Sequence, residues 1–441
     1  MGVITARMAG RISNGKTAYL ISTMLFGSSG IRRLYDQDLF TLAMQVGMVV
    51  GSKADQVLVG MDSRTTGPLL SGSFMAGVCS TGATALEGGI APTPSIAYSC
   101  RSFQAACMVT ASHNPEPYNG LKLFNPDGSS FQVVQQEEIE DALSDIPTAD
   151  WLHQGKVKKY DPLTPHREAI LKEITVKDDL PVILDCGNGA GCVLTPHLLS
   201  DAGASVTTVN ANPSGIFSRP SEPLPEHLPY LPALMKKTNA RCAVVHDGDA
   251  DRMMAFDNTG TYIPGDLLLI LFAKYLGSKR VVTTYDASMA VEEVAEVRRT
   301  PVGDAFVSEQ LVTWGDFGGE PSGAWIFPQI SYCPDGPFAA LLFCEMAGEW
   351  NIAEELESIP RYPIIRRSLE LTQAREVLYA MGATNPTDGI RLEEEDGWCL
   401  IRASGTEPKI RFTAEGRSSD DAKMMLERGE EMVRFALKGE A

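Results

Sequence analysis

Short apolar runs recur along this chain, each closed by a polar turn and most followed by a stretch with helical spacing. From Gln56 the pattern predicts a strand to Met61, a helix over 68–80, a strand over 83–87, a turn at Pro92-Thr93-Pro94, a helix, and a buried strand ending at Val109. A helical stretch at 134–143 and a linker around 147–165 close this unit. Alternation of strand and helix implies a mostly parallel sheet.

The pattern restarts at 181–185 with a strand closed by Cys-Gly-Asn-Gly-Ala-Gly, then a helix, a strand at 205–209, a Pro-rich stretch over 212–225, a helix, and a strand at 241–246. A third cycle is predicted to open at 253–256 and to continue through an apolar helix at 266–276 and a strand at 280–284. The last part differs, with four strands (364–371, 389–392, 398–403, 409–415) and two helices. The fold expected is α/β, with three similar mixed α/β sheet domains (24–150, 151–254, 255–363) and a smaller C-terminal α+β domain (364–441). Residues 1–23 carry basic and no acidic side chains, and Met24 offers a second start, so they read as an extension.

Composition narrows the partners. The 441 residues carry a formal charge of −18, which disfavours nucleic acid and anionic membrane. Apolar runs such as 267–273 are far shorter than the roughly 20 residues that span a bilayer. The nine cysteines contain no C-x-x-C pair and read as free thiols in a reducing, cytoplasmic setting. Nothing here separates a monomer from a homodimer.

Four turns carry candidate chemistry. Thr110-Ala111-Ser112-His113-Asn114-Pro115 presents a hydroxyl at a strand's C-terminal end, where open α/β sheets place ligands. Asp247-Gly248-Asp249-Ala250-Asp251-Arg252 puts three carboxylates at alternate positions, a spacing that converges oxygens on a hard cation. An EF-hand starting at Asp247 would need Gly and Glu where Arg252 and Asn258 stand, and a haloacid-type phosphatase would need Thr or Val where Asp251 stands. Mg²⁺ sharing a phosphate oxygen suits the motif better. Gly319-Glu320-Pro321-Ser322-Gly323 offers a carboxylate and a hydroxyl to a polyol. Arg402-Ala403-Ser404-Gly405-Thr406, with Arg411 beyond it, supplies hydroxyls, exposed backbone and guanidinium forks for a phosphate. Phe26 to Arg33 is Gly-rich but lacks the Gly-Lys-Ser/Thr of a Walker A loop.

In order and spacing these four segments resemble the signature loops of the α-D-phosphohexomutases. Asp62-Ser63-Arg64, Ala91-Pro92-Thr93-Pro94 and Val302-Gly303-Asp304 add lesser similarities. The resemblance implies four domains around a central cleft and a phosphosugar substrate. Ser112 would be carried as phosphoserine, and Mg²⁺ would be held by Asp247, Asp249, Asp251 and a phosphoryl oxygen of residue 112. A sugar 1,6-bisphosphate would be intermediate and activator. Arg32 and Arg252 would balance charge, and Lys122 or His113 would move the proton, Lys122 only if burial lowers its pKa. Glu320 and Ser322 would read the sugar, and Arg402, Ser404, Gly405, Thr406 and Arg411 would grip the phosphate not being transferred. The sugar loop departs from the commoner form, since Ala324 follows Gly323 where many members have His. The form of the last loop points to the archaeal phosphoglucosamine mutase-like branch. The same scaffold would also serve a phosphomannomutase, a phosphoglucomutase, a phosphopentomutase or a non-catalytic sugar-phosphate sensor.

Overall fold

The computed structural model describes residues 25–27, 30–144, 146–404 and 408–438. The extension at 1–23 lies outside the described residues, as do Gly405 and Thr406. The described residues form three mixed sheets, of six, five and four strands, and a four-stranded sheet that is antiparallel throughout.

The first sheet is built on parallel strands Gln56–Met61, Thr84–Ile90 and Ala105–Val109, flanked on one side by antiparallel Tyr118–Phe124 and Ile31–Leu34. Helix Gln37–Lys53 repeats apolar residues at Leu39, Leu42, Ala43, Val46, Val49 and Val50, the spacing of a one-sided helix. Its Asp36 cap accepts the Leu39 N–H at 2.7 Å. It packs backbone to backbone on Gly67–Ser80. A Cβ on Gly77 would lie 2.1 Å from the Met44 carbonyl oxygen, and one on Gly47 would lie 2.2 Å from that of Phe74.

The second sheet has parallel strands Pro181–Asp185, Ser205–Val209 and Cys242–His246, then antiparallel Met253–Phe256 and Tyr262–Ile263. This corrects the reading of 253–256 as the opening of the third cycle. The strand pairs with its immediate predecessor, and a division at 255 would cut it in two. The third sheet joins parallel Arg280–Thr284, Glu296–Thr300 and Phe317–Gly319 to antiparallel Trp325–Ile326. Helix Gly336–Glu349 is buried almost all round and belongs to a core that the second and third units share, with Leu184, Val244, Leu271, Trp325 and Phe343 in one cluster.

One topological rule positions all the functional turns. In each of the first three sheets the chain leaves a parallel strand and doubles back as an antiparallel one, after Val109, His246 and Gly319 respectively. Those three hairpins carry Ser112, the Asp247–Asp251 triplet, and Glu320 with Ser322. In the fourth sheet the hairpin between Gly397–Ala403 and Lys409–Gly416 carries Ser404. No described helix is long and apolar enough to cross a membrane.

Candidate active site

Ser112 sits at the tip of its hairpin with φ of 49°, a left-handed backbone that costs a non-glycine residue about 1–2 kcal/mol. Arg64 supplies the restraint that holds it there. All five of its N–H groups are used: Nε to Asp62 Oδ2 at 3.0 Å, Nη1 to the carbonyls of Pro115 (2.6 Å) and Tyr118 (2.9 Å), Nη2 to those of Ser112 (2.8 Å) and Asn114 (2.6 Å). The guanidinium is buried and therefore acts as an internal template for the turn. Asp62 also accepts from Thr110 Oγ1, whose oxygen in turn accepts the Ser112 N–H at 2.8 Å.

The acidic hairpin meets this turn face to face. Gly248 permits the approach, because a Cβ there would lie 2.8 Å from the Ser112 carbonyl oxygen. Ser112 Oγ donates to Asp247 Oδ2 at 2.8 Å. Carboxylate oxygens of Asp247, Asp249 and Asp251 lie within 4.8 Å of one another, all buried. Asp249 Oδ1 and Asp251 Oδ1 have no hydrogen-bond partner. Buried carboxylate oxygens without donors, converging beside a hydroxyl, form an all-oxygen donor set that fits a hard divalent cation.

Burial and mutual repulsion push Asp247 and Asp251 above the usual carboxylate range. Burial acts the same way on Asp249, but Lys122 and the Thr93 hydroxyl outweigh it and hold that group low. Lys122 Nζ contacts Asp251 Oδ2 and lies 3.4 Å from Asp249 Oδ2. Here the expectation of a lowered lysine is corrected: burial pulls Lys122 down, yet Asp249 and Asp251 more than offset it and hold the ammonium above its ordinary value. His113 Nδ1 is 3.4 Å from Ser112 Oγ, and burial, reinforced by Arg252 and Arg32, keeps its imidazole neutral. Arg32 faces the same groups from the neighbouring strand, its Nε buried without a partner.

Arg252 joins this cluster to the sugar-loop candidate. Its backbone N–H donates to Asp247 Oδ1 at 3.2 Å, its guanidinium reaches Glu222 at 3.6 Å, and its backbone bridges to Ala324. Glu320 Oε1 accepts the Gly303 N–H at 2.6 Å and Oε2 accepts from Ser322 Oγ at 3.0 Å. Burial, then Asp304, raise Glu320 to about 7 against the pull of Arg252. Trp325, beside the position where a His is commoner, is core: it is buried, stacks edge-on with Phe272, and donates its indole N–H to the Met253 carbonyl at 2.7 Å.

Arg402 and Arg411 are cross-strand partners and so share one face of the fourth sheet. With Ser404, whose Oγ is buried and unpartnered, they line a cavity of about 810 Å³ whose other walls include Phe131 of the first unit and Phe306 of the third. The structure thus gathers Ser112, Lys122 and the three aspartates into one buried cluster with the half-buried His113 beside it, and places Arg402, Ser404 and Arg411 on a separate wall.

Sequence reasoning had no role for Arg64, Thr93 or Arg219. Arg219 repeats in the second unit what Arg64 does in the first: it pairs with Asp185 and donates to the His246 carbonyl, at the root of the acidic hairpin, at 2.7 Å. The available signal was an Asp ending or following the parallel strand that neighbours each hairpin's first strand, at Asp62 and Asp185; Arg64 stands two residues from its Asp, whereas Arg219 lies in the irregular Pro-rich stretch.

Comparison with known proteins agrees with this layout. Profiles of the phosphoglucomutase/phosphomannomutase family match in order: alpha/beta/alpha domain I over residues 23–150, domain II over 165–260, domain III over 264–362, and the C-terminal domain over 365–430. A probable phosphoglucosamine mutase of Methanosarcina barkeri is 40% identical over 94% of this chain and all of its own length. One from Pyrococcus horikoshii is 36% identical over 94% of this chain and 98% of its own. Among solved structures, a phosphoglucomutase/phosphomannomutase family protein from Burkholderia thailandensis shares the fold, with a TM-score of 0.80 at 24% identity over 96% of this chain and 98% of that one. The chain belongs to the phosphoglucomutase/phosphomannomutase family and is an α-D-phosphohexomutase, an intramolecular phosphotransferase.

Proposed function

We propose that this phosphohexomutase interconverts glucosamine 6-phosphate and glucosamine 1-phosphate, with Ser112 as phosphate carrier. The observation that carries the reading is the Ser112 hydroxyl, 2.8 Å from Asp247 at the edge of a buried three-carboxylate cluster. The sugar assignment rests on archaeal relatives that are themselves named probable phosphoglucosamine mutases.

Asp247, Asp249 and Asp251 would hold Mg²⁺, together with an oxygen of the phosphorylated Ser112. When bound, the ion supplies charge neutralisation at the phosphoryl oxygens. Arg32 and Arg252 add positive charge around the same group. A substrate hydroxyl attacks the phosphoserine phosphorus and the P–O bond to Ser112 breaks; the hydroxyl proton passes to the neutral His113, which lies within reach of the departing Ser112 Oγ that takes up a proton, while Lys122, held as an ammonium by Asp249 and Asp251, serves the same step as a counter-charge. The product is a sugar 1,6-bisphosphate. It turns over in the cleft, its other phosphate returns to Ser112, and the monophosphate isomer leaves. Arg402, Ser404 and Arg411, with Gly405 and Thr406, grip whichever phosphate is not moving, and Glu320 and Ser322 read the sugar hydroxyls.

A panel of glucosamine 6-phosphate, mannose 1-phosphate, glucose 1-phosphate and ribose 1-phosphate, each primed with its bisphosphate and followed by ³¹P NMR, tests this. Glucosamine 6-phosphate should give the highest kcat/KM. A higher value for another sugar overturns the sugar assignment, and release of inorganic phosphate without isomer overturns Ser112 as a carrier between two positions.

A further inference from the structure

Asp249 is fixed from outside its own loop. Thr93, opening the short helix Thr93–Ser99, donates its hydroxyl to Asp249 Oδ2 at 2.5 Å and its backbone N–H to the Asp249 carbonyl at 2.9 Å. Both residues are fully buried. With Oδ2 engaged by Thr93 and Lys122, Oδ1 is the oxygen left without a partner. The two together leave one edge of the carboxylate free to take a cation, and the Thr93 hydroxyl is the closer of them, at 2.5 Å against 3.4 Å.

The helix that carries Thr93 is anchored in turn. Ser95 Oγ lies 3.0 Å from His166 Nδ1, and His166 Nε2 lies 2.8 Å from Asp335 Oδ2, with the imidazole stacked on Tyr98. Asp335 also caps helix Gly336–Glu349 by accepting the Phe338 N–H at 2.9 Å. Gly336, next in the chain, sits so close to the acidic hairpin that a Cβ would meet the carbonyl oxygens of Ala250 and Arg252 at 2.6 and 2.7 Å. The chain of contacts leaves the hairpin at Asp249 and returns to it at Ala250. Ser, His and Asp in this order have the arrangement of a hydrolytic triad, but Ser95 is 0% exposed and no substrate reaches it.

We infer that Thr93 is a positioning residue for the divalent cation, selecting the oxygen that Asp249 presents, and that Ser95, His166 and Asp335 hold it in register. This rests on the reading of the three aspartates as a cation site. Partners of ligating groups commonly change metal affinity by about 10–100-fold when removed. The test is direct Mn²⁺ binding, read from the free Mn²⁺ signal in electron paramagnetic resonance, on the full chain and on Thr93→Val, Thr93→Ser and His166→Phe. Thr93→Val should weaken Mn²⁺ binding by about 10-fold or more. It should raise the Mg²⁺ concentration for half-maximal activity in proportion and leave the KM for sugar phosphate at saturating Mg²⁺ unchanged. Thr93→Ser should restore binding, and His166→Phe should shift it in the same direction as Thr93→Val. Unaltered affinity in Thr93→Val, or failure of Thr93→Ser to restore it, overturns the role of Thr93. If Thr93→Val does not fold, Thr93→Ala decides by the same measure. Absence of Mn²⁺ binding to the unmutated protein overturns the cation site itself, which keeps the two failures distinct.

Discussion

The Ser112 hydroxyl and the Asp247 carboxylate share a 2.8 Å hydrogen bond across two different sheets. Only a free hydroxyl can make it. Once Oγ is esterified the proton is gone, Asp247 Oδ2 loses its donor, and the phosphoryl group adds oxygens of its own to the site. Phosphorylation and cation binding should therefore be coupled: phosphorylated protein should bind Mn²⁺ more tightly than dephosphorylated protein, measured on the two forms side by side. Equal affinities would refute the coupling. Ser112→Ala should abolish isomerisation and the mass increment of one phosphoryl group on the peptide carrying residue 112.

Arg64 offers a test of how much a turn depends on one side chain. Removing one member of a buried ion pair typically costs about 3–5 kcal/mol, and here the template for four carbonyls goes with it. Arg64→Ala should lower the denaturant midpoint accordingly. Arg64→Lys, which keeps the charge but loses the planar fork, should recover only a minor part of the loss.

The raised Glu320 gives a pH dependence of definite sign. At low pH the residue is neutral in folded and unfolded chains alike and costs nothing. As pH rises through its ordinary 4.5 the unfolded chain ionises while the folded one does not, so stability falls until the folded group ionises at about 7. That shift corresponds to about 3 kcal/mol. Glu320→Gln keeps an acceptor for Gly303 and removes the charge. It should raise Tm at about pH 8 and leave it unchanged at about pH 4, while weakening substrate binding. A stability gain independent of pH would contradict the assignment.

Arg411 separates binding from chemistry. Charge-assisted bonds to a phosphate are worth about 1.5–3 kcal/mol, so Arg411→Ala should cut kcat/KM by about 10- to 150-fold. The initial phosphorylation level at Ser112 should persist, because the cradle and the carboxylate cluster are separate walls. Loss of the phosphoserine in this variant would argue against that separation.

Much of this site was legible as sequence because each hairpin pairs a buried strand with a polar turn of unusual composition. The Asp triplet and the Ser112 turn announce themselves by residue type alone. The strand Tyr118–Phe124, by contrast, is hidden by its Asn119, Gly120 and Lys122, polar or small residues that are nonetheless buried because the strand runs inside the sheet. Lys122 thus looked like a tunable base and turned out to be a counter-charge. The strand Ile31–Leu34 and helix Gln37–Lys53 follow a Gly-rich segment whose polar turn drew attention away from the periodicity beyond it. Met253–Phe256 was misplaced since an apolar run does not reveal which neighbour it pairs with. The templating roles of Arg64 and Arg219 were not legible, because the carbonyls they hold at the two hairpins, those of Ser112 and Asn114 for the first and of His246 for the second, lie 27 or more residues away in sequence.

The fourth sheet has a hydrophobic core of its own, with Ile401, Phe412, Met425 and Val433 at its centre, whereas the carboxylate cluster and Ser112 belong wholly to the units before it. Translation proceeds from the N-terminus at about 5–20 residues per second, and units fold as they emerge. On a ribosome the half of the site that holds Ser112 and the three aspartates therefore emerges several seconds before the last hairpin. During that interval the nascent chain holds the Ser112 hydroxyl and its carboxylate neighbours without the Arg402 and Arg411 wall, and the two halves meet only once the fourth sheet has formed.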